Sequence, residues 1–180
     1  MMHTSKTKSK TVKILLAISL ALLSNVSFAQ CEIKNLIYPD GSMLYYIEPV
    51  NFYWTEAKDL KGGIMTDKEN YYLALQPNPY PEKSVGKKIK TDLILVLSNN
   101  KEYTFEHYDT RYLEGDSVMQ MLFLIAKDDM QPLQELEVIQ AKIDMQGEEG
   151  LRIYNFKLHK SALKEQLNCF LKKDENKKDK

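Results

Sequence analysis

The sequence predicts a mainly β fold of the α+β class: an antiparallel sheet or sandwich of about seven to nine strands, with a short mid-chain helix and a C-terminal amphipathic helix packed on the sheet. Period-two alternation or short apolar runs occupy most of the chain. Gly, Pro, Asn and Asp cluster between those runs, where a chain reverses direction. The period becomes helical only after Ser161, where Leu163, Leu167, Phe170 and Leu171 fall on one stripe.

The elements follow in order. Glu32 to Ile37 reads as a short strand, Pro39-Asp40-Gly41 as a turn, and Met43 to Ile47 and Asn51 to Lys58 as two more strands. Lys61-Gly62-Gly63 reads as a break. Glu69 to Gln76 alternates cleanly, with Tyr71, Leu73 and Leu75 on one face and Tyr72, Ala74 and Gln76 on the other, the pattern of a half-buried strand. Pro77-Asn78-Pro79-Tyr80-Pro81 reads as a loop, because each proline lacks a ladder donor and restricts the residue before it. Leu93 to Leu97 and Val118 to Ile125 carry little polar interruption and so require cover on both faces. The first continues through Ser98-Asn99-Asn100-Lys101 into an alternating strand, Glu102 to Asp109, as a hairpin whose Asn residues tolerate positive φ. Lys127 to Leu136 is the short helix, with Asp128-Asp129 placed where a cap and favourable N-terminal charge belong. Val138 to Ile143 and Leu151 to Leu158 flank Gln146 to Gly150 as a second hairpin, and the last helix starts at Ser161 with Glu165 nearby.

Composition narrows the class of function. The chain of 180 residues is 43% apolar and 28% charged, enough to build a core by burial. Its 25 basic residues match its 25 acidic ones, so no global positive field exists to hold a nucleic acid. Residues 1–29 have the three zones of a secretory signal peptide: Lys6, Lys8, Lys10 and Lys13, then the apolar run Ile14 to Leu23, then Ser27-Phe28-Ala29, with cleavage expected after Ala29. An apolar run of about ten residues spans only about 15 Å as a helix against about 30 Å of hydrocarbon, so no stable membrane span is expected. Gln30 before Cys31 disfavours lipidation. Removing four Lys and no acid leaves 21 basic and 25 acidic groups on a mildly acidic mature chain. Residues 30–171 are expected to form one β-rich domain, and the Lys-rich stretch 172–180 a disordered tail. The expected location is periplasmic or secreted.

Export changes what the cysteines mean. The chain has just two, Cys31 and Cys169, and thiols outside the cytoplasm are usually oxidised, so a structural disulfide between them is expected. A metal site lacks further Cys or His at ligand spacing, and a reactive nucleophile lacks a partner.

The C-terminal part also carries a resemblance. The strand Val118 to Ile125, the acidic-capped helix Lys127 to Leu136, the strand Val138-Ile139-Gln140-Ala141-Lys142-Ile143, a hairpin, another strand and a helix ending in Cys169 resemble uncharacterised small exported bacterial proteins over about 80 residues. The resemblance implies export and a β-rich fold, and contributes no functional residues.

Catalytic motifs are sparse. Gly115-Asp116-Ser117 is similar to the first block of the GDS-type esterases, but Arg111-Tyr112-Leu113-Glu114 replaces the buried strand expected before it, and His159 lacks the Asp three positions earlier. The sequence has no Gly-x-Ser-x-Gly, phosphate loop or Gly-x-Gly-x-x-Gly, so no cofactor is expected. His107 has Glu106 and Asp109 nearby, but strand neighbours face opposite sides, so no metal site is expected. Asp109, Glu114 and Asp116 do not follow a known calcium-loop spacing.

Aromatic clustering is the strongest functional feature. Tyr45, Tyr46, Phe52, Tyr53, Trp54, Tyr71, Tyr72 and Tyr80 fall within the 38 residues from Met43 to Tyr80. Alternation sends Tyr53 and Trp54 to opposite faces, and likewise Tyr71 and Tyr72. Rings left outside favour partner surfaces or sugars, because they combine rigid contact area with a polar handle; rings covered on both faces are core or edge packing. Tyr53, Trp54 and Tyr72 are therefore the candidate ligand-binding residues of a non-enzymatic exported binding domain, with an envelope or extracellular protein, peptide or glycan as partner. The alternative is an exported hydrolase centred on Ser117, His107 or the acids Asp109 and Asp116.

Overall fold

The computed structural model describes residues 31–37, 41, 43–146 and 150–178, with side chains to residue 172. The expected leader and the tips of the turns at 38–40 and 147–149 lie outside the described residues. In chain order the described elements are β1 (Lys34–Ile37), β2 (Met43–Tyr46), β3 (Val50–Trp54), β4 (Asp59–Thr66), β5 (Tyr71–Asn78), α1 (Lys83–Gly86), β6 (Leu93–Leu97), β7 (Glu102–Phe105), β8 (His107–Leu113), β9 (Val118–Ile125), α2 (Lys127–Glu135), β10 (Val138–Asp144), β11 (Leu151–Asn155) and α3 (Ala162–Lys178). The expected class holds: antiparallel β with a short middle helix and a C-terminal helix on the sheet.

The strands form two sheets. One has seven strands in the order β1-β2-β4-β5-β9-β8, with β3 sharing β4's β2-side edge, and the other has four, β11-β10-β6-β7. One apolar cluster joins them: Leu60, Ile64, Leu73, Leu75, Met121 and Phe123 from the larger sheet meet Leu93, Leu95, Phe105, Ala141 and Ile143 from the smaller. Phe52 stacks on Phe156 with ring centroids 4.5 Å apart, and Tyr53 meets Tyr154 edge-on at 5.6 Å. Helix α3 buries the stripe read from its spacing, Leu163, Leu167 and Phe170, and Phe170 reaches Tyr71 edge-on. Each such side chain contributes about 1.5–3 kcal/mol when fully buried. Helix α2 docks on α3 through Lys164, which donates to the Glu135 carbonyl at 2.9 Å, and through Asn168, whose side-chain amide donates to the Gln134 backbone carbonyl and accepts from the Gln134 side chain. Cys31 and Cys169 are both disulfide-bonded, which in a chain with two cysteines makes them partners.

Several boundaries differ from the pattern in the sequence, each for a physical reason. Lys61-Gly62-Gly63 is no break but the middle of β4. Gly62 faces the core directly opposite Leu75, where a Cβ would lie 2.5 Å from the Leu75 side chain and 2.6 Å from the Ala74 carbonyl oxygen. The glycine is there to admit a neighbouring strand, a use its turn propensity conceals. Pro77 and Asn78 continue β5 and pair with Leu60 and Asp59 of β4. Pairing with β9 on the other side ends at Leu75 and Met121, so the missing Pro77 N–H falls where the ladder has stopped. Glu102 to Asp109 is not one strand: β7 belongs to the small sheet and β8 to the large one, with the chain changing sheets at Glu106. The strand expected to end at Asp109 runs on as β8 to Leu113, and the expected strand Asn51 to Lys58 stops at Trp54, where the Thr55 hydroxyl closes a turn on Lys58. Asp128 and Asp129 lie in the first turn of α2 and Ala126 occupies the cap, so they serve the helix through charge rather than through a cap hydrogen bond. Helix α3 runs on to Lys178 through the stretch expected to be a disordered tail; Lys and Glu are good helix formers, and Lys suits a helix C-terminus.

Candidate ligand-binding cleft

Where β5 and β9 part beyond Leu75 and Met121, a cleft of about 250 Å3 opens. Asp59, Lys61, Gln76 and Asn78 supply polar groups on one side, Ser117 stands on the other, and Pro77, Tyr80, Val118 and Met119 give apolar surface. Trp54 lies directly opposite Asp59 across the β3–β4 ladder and is 61% exposed. Residues so paired have Cβ atoms about 4.5–5.5 Å apart and share a face, which sets the indole beside Asp59, one strand out from the residues that line the cleft.

Both walls are anchored. Asn78 donates from its side-chain amide to Asp59 Oδ2 at 2.8 Å, the largely buried Arg152 of β11 donates to the Pro79 carbonyl, and the Tyr112 hydroxyl donates to the Pro81 carbonyl at 2.7 Å. Tyr80 packs edge-on against Tyr112. On the opposite wall, Glu114, Gly115 and Asp116 all have positive φ in a tight turn, Ser117 Oγ donates to the Glu114 carbonyl at 2.8 Å, and Lys83 Nζ meets Asp116 at 2.7 Å.

The three candidate rings have different fates. Trp54 is open to solvent. Tyr53 is half-buried on the core side against Tyr154, with the ammonium groups of Lys58 and Lys157 5.6 and 5.4 Å from its ring centre. Tyr72 is 2% exposed, its ring lies 4.7 Å from that of Tyr108 and its hydroxyl donates to Asp67 Oδ2 at 2.8 Å, so it is no surface contact. It pairs with Met65, six residues along β4 from Asp59, or about 20 Å from Trp54. The sequence missed Asp59 and Asn78 as site residues, since their pairing depends on a register between strands that no local pattern contains.

Of the residues of the hydrolase alternative, His107 and Asp109 share one cleft, and Ser117 and Asp116 lie away from it. His107 pairs with Phe123 of β9, six residues and about 20 Å along the strand from Ser117. Its Nε2 is 2.8 Å from Thr110 Oγ1, its backbone N–H donates to Asp92, and Asp109 accepts from the Thr110 amide and from Arg111 Nε. Asp92, His107, Asp109 and Thr110 line a second cleft of about 520 Å3 at the corner where the chain changes sheets, with Lys87 and Lys90 alongside. Among the described residues no three His, Cys, Asp or Glu side chains gather to hold a metal.

Burial, opposed by Asp109 and Asp92 and assisted by Lys90, lowers the His107 pKa below 6.5. Burial alone would raise Asp67, but hydrogen bonds from the Asn70 backbone, Tyr72, the Glu69 backbone and the Asn70 side chain hold its carboxyl below 3.8. In both cases the unfolded chain binds more protons between the two pKa values, so stability falls with acidification: below pH 6.5 for His107, then below 3.8 for Asp67. Urea midpoints followed from pH 8 to 3 should show two declines, and His107→Gln should remove the first. A variant midpoint falling as much as the parent's between pH 7 and 5.5 would refute the assignment.

Fold and cleft together define a two-sheet antiparallel β domain carrying a small polar cleft at a parting of strands, with an exposed tryptophan on the neighbouring strand. The chain matches no protein-family model, no curated protein and no solved structure. No described helix is long and apolar enough to cross a membrane.

Proposed function

We propose that the protein is an exported, non-enzymatic binding domain that holds an envelope or extracellular ligand at Trp54 and the adjoining cleft. The observation that carries this reading is the 61% exposed indole beside anchored polar groups, since exposing so large a ring forgoes burial that would otherwise favour folding. Anchored walls support it further: a site already in its bound shape loses little conformational freedom on binding. Tyr53, with its two lysines, supports the strand that presents Trp54. Export rests on the basic, apolar and small-residue zones of residues 1–29 and is compatible with the disulfide.

The test is affinity capture from the native envelope with the chain from Gln30 onward. Trp54→Ala is expected to lower retention of its ligand at least tenfold while leaving the unfolding midpoint within experimental scatter, because an exposed side chain contributes little to stability. Equal retention by parent and variant would refute the site. Cell fractionation checks export, with the expected product a processed chain beginning near Gln30 outside the cytoplasm.

A further inference from the structure

Resting on the binding reading above, we infer that the ligand is a neutral oligosaccharide, with one sugar ring seated between β5 and β9 and its neighbour stacked on Trp54. A pyranose has an apolar face of C–H groups and a rim of hydroxyls. It therefore needs a flat apolar platform next to paired acceptors and donors. The indole is the platform. Asp59 and Asn78 are the polar pair: their mutual hydrogen bond uses one carboxylate oxygen and one amide N–H, leaving the other carboxylate oxygen, the amide oxygen and the second N–H for adjacent hydroxyls. Gln76 and Lys61 extend that row on the same face of the sheet, as their pairing across β4 and β5 requires.

Other ligand classes fit less well. The cleft lining carries one lysine and one aspartate, so there is no charge surplus to hold phosphate or a polynucleotide. The volume, about 250 Å3, lies below the roughly 300–1,000 Å3 usual for whole small-molecule ligands, so the cleft takes one ring and the rest of a longer ligand must lie over the surface. A protein partner would favour a continuous apolar patch around the tryptophan. Among the described residues no other large exposed apolar side chain lies on β3, β4 or β5; Leu151 and Ile153 are on β11 and the rest lie elsewhere.

Trp54 is the only tryptophan in the chain, so indole fluorescence reports this site alone. The folded protein is titrated with maltohexaose, cellohexaose and chitohexaose up to about 10 mM, a range that registers dissociation constants into the millimolar. A saturable blue shift with at least one of them is expected, and calorimetry should show at least tenfold weaker binding of that sugar by Trp54→Ala and by Asn78→Ala, with both variants folded. No saturable shift from any of the three overturns the inference, as does binding that Asn78→Ala leaves unchanged. Trp54-dependent capture from the envelope that excess hexasaccharide fails to compete would sink the sugar assignment while the binding reading stood. Capture and titration both indifferent to Trp54→Ala would sink the two together.

Discussion

Replacing Cys31 and Cys169 with serine is expected to lower the unfolding free energy by about 4–5 kcal/mol through loss of the cross-link. The bond closes a loop of 139 residues, nearly the whole described chain, and the chain-entropy account makes stabilisation grow with the logarithm of loop length. That figure rivals the 5–15 kcal/mol net stability typical of a domain, so the variant should be marginal at 37 °C. Urea unfolding of the oxidised and reduced protein measures it. The slope should also steepen on reduction, since an unfolded chain freed of the cross-link exposes more surface. A difference under about 1 kcal/mol would show that strain or residual structure cancels the entropic gain.

How much of this molecule is legible in its sequence depends on whether a feature is local. The helical stripe Leu163, Leu167 and Phe170, the apolar strands at Leu93 and Val118, the hairpin between β6 and β7 and the disulfide all follow from spacing, turn chemistry or arithmetic on two cysteines. Gly62-Gly63 misleads because the same residue type serves turns and close strand contact, and only the position of Leu75 on another strand distinguishes the two uses. Pro77 misleads for a related reason: a proline is incompatible with a strand paired on both sides, but β5 has lost its second partner by that point. The change of sheet at Glu106 leaves alternation unbroken from Tyr103 to His107, so no period could expose it.

The candidate cleft divides along the same line. Trp54 stands out as the single tryptophan in an aromatic-rich strand, and alternation correctly sets it apart from Tyr53. The same reasoning nominates Tyr72, which turns out to be buried, because alternation tells which face a ring takes and not what covers that face. Asp59 and Asn78 lie 19 residues apart and meet only through ladder register, and the anchors Arg152 and Tyr112 come from farther still.

Gln166→Leu is expected to cost about 2–3 kcal/mol although it replaces a polar side chain with an apolar one of similar size on a buried helix face. The reason lies on the outer edge of β4. Strand β2 pairs there with Met65 and Thr66, and β3 with Asp59 to Gly62, but the connection through Ile47 to Pro49 leaves Gly63 and Ile64 without a strand partner. Gln166 of α3, 5% exposed, takes the partner's place: its Oε1 accepts the Ile64 N–H at 2.7 Å, and its amide points to the Glu48 carbonyl at 3.4 Å. Gly63 makes this approach possible, since a Cβ there would sit 2.7 Å from the same Oε1. Leucine would leave a buried N–H with neither protein nor water to pair with, and the full desolvation penalty would appear. Glu at 166 keeps an acceptor and should lose less than Leu at pH 7, whereas Gly63→Ala should push the amide away and reproduce much of the Leu effect. Because both changes act on one contact, Gly63→Ala combined with Gln166→Leu should cost distinctly less than the two separately. Additive losses in that cycle, or a Gln166→Leu protein as stable as the parent, would show that the helix rests on β4 by packing alone.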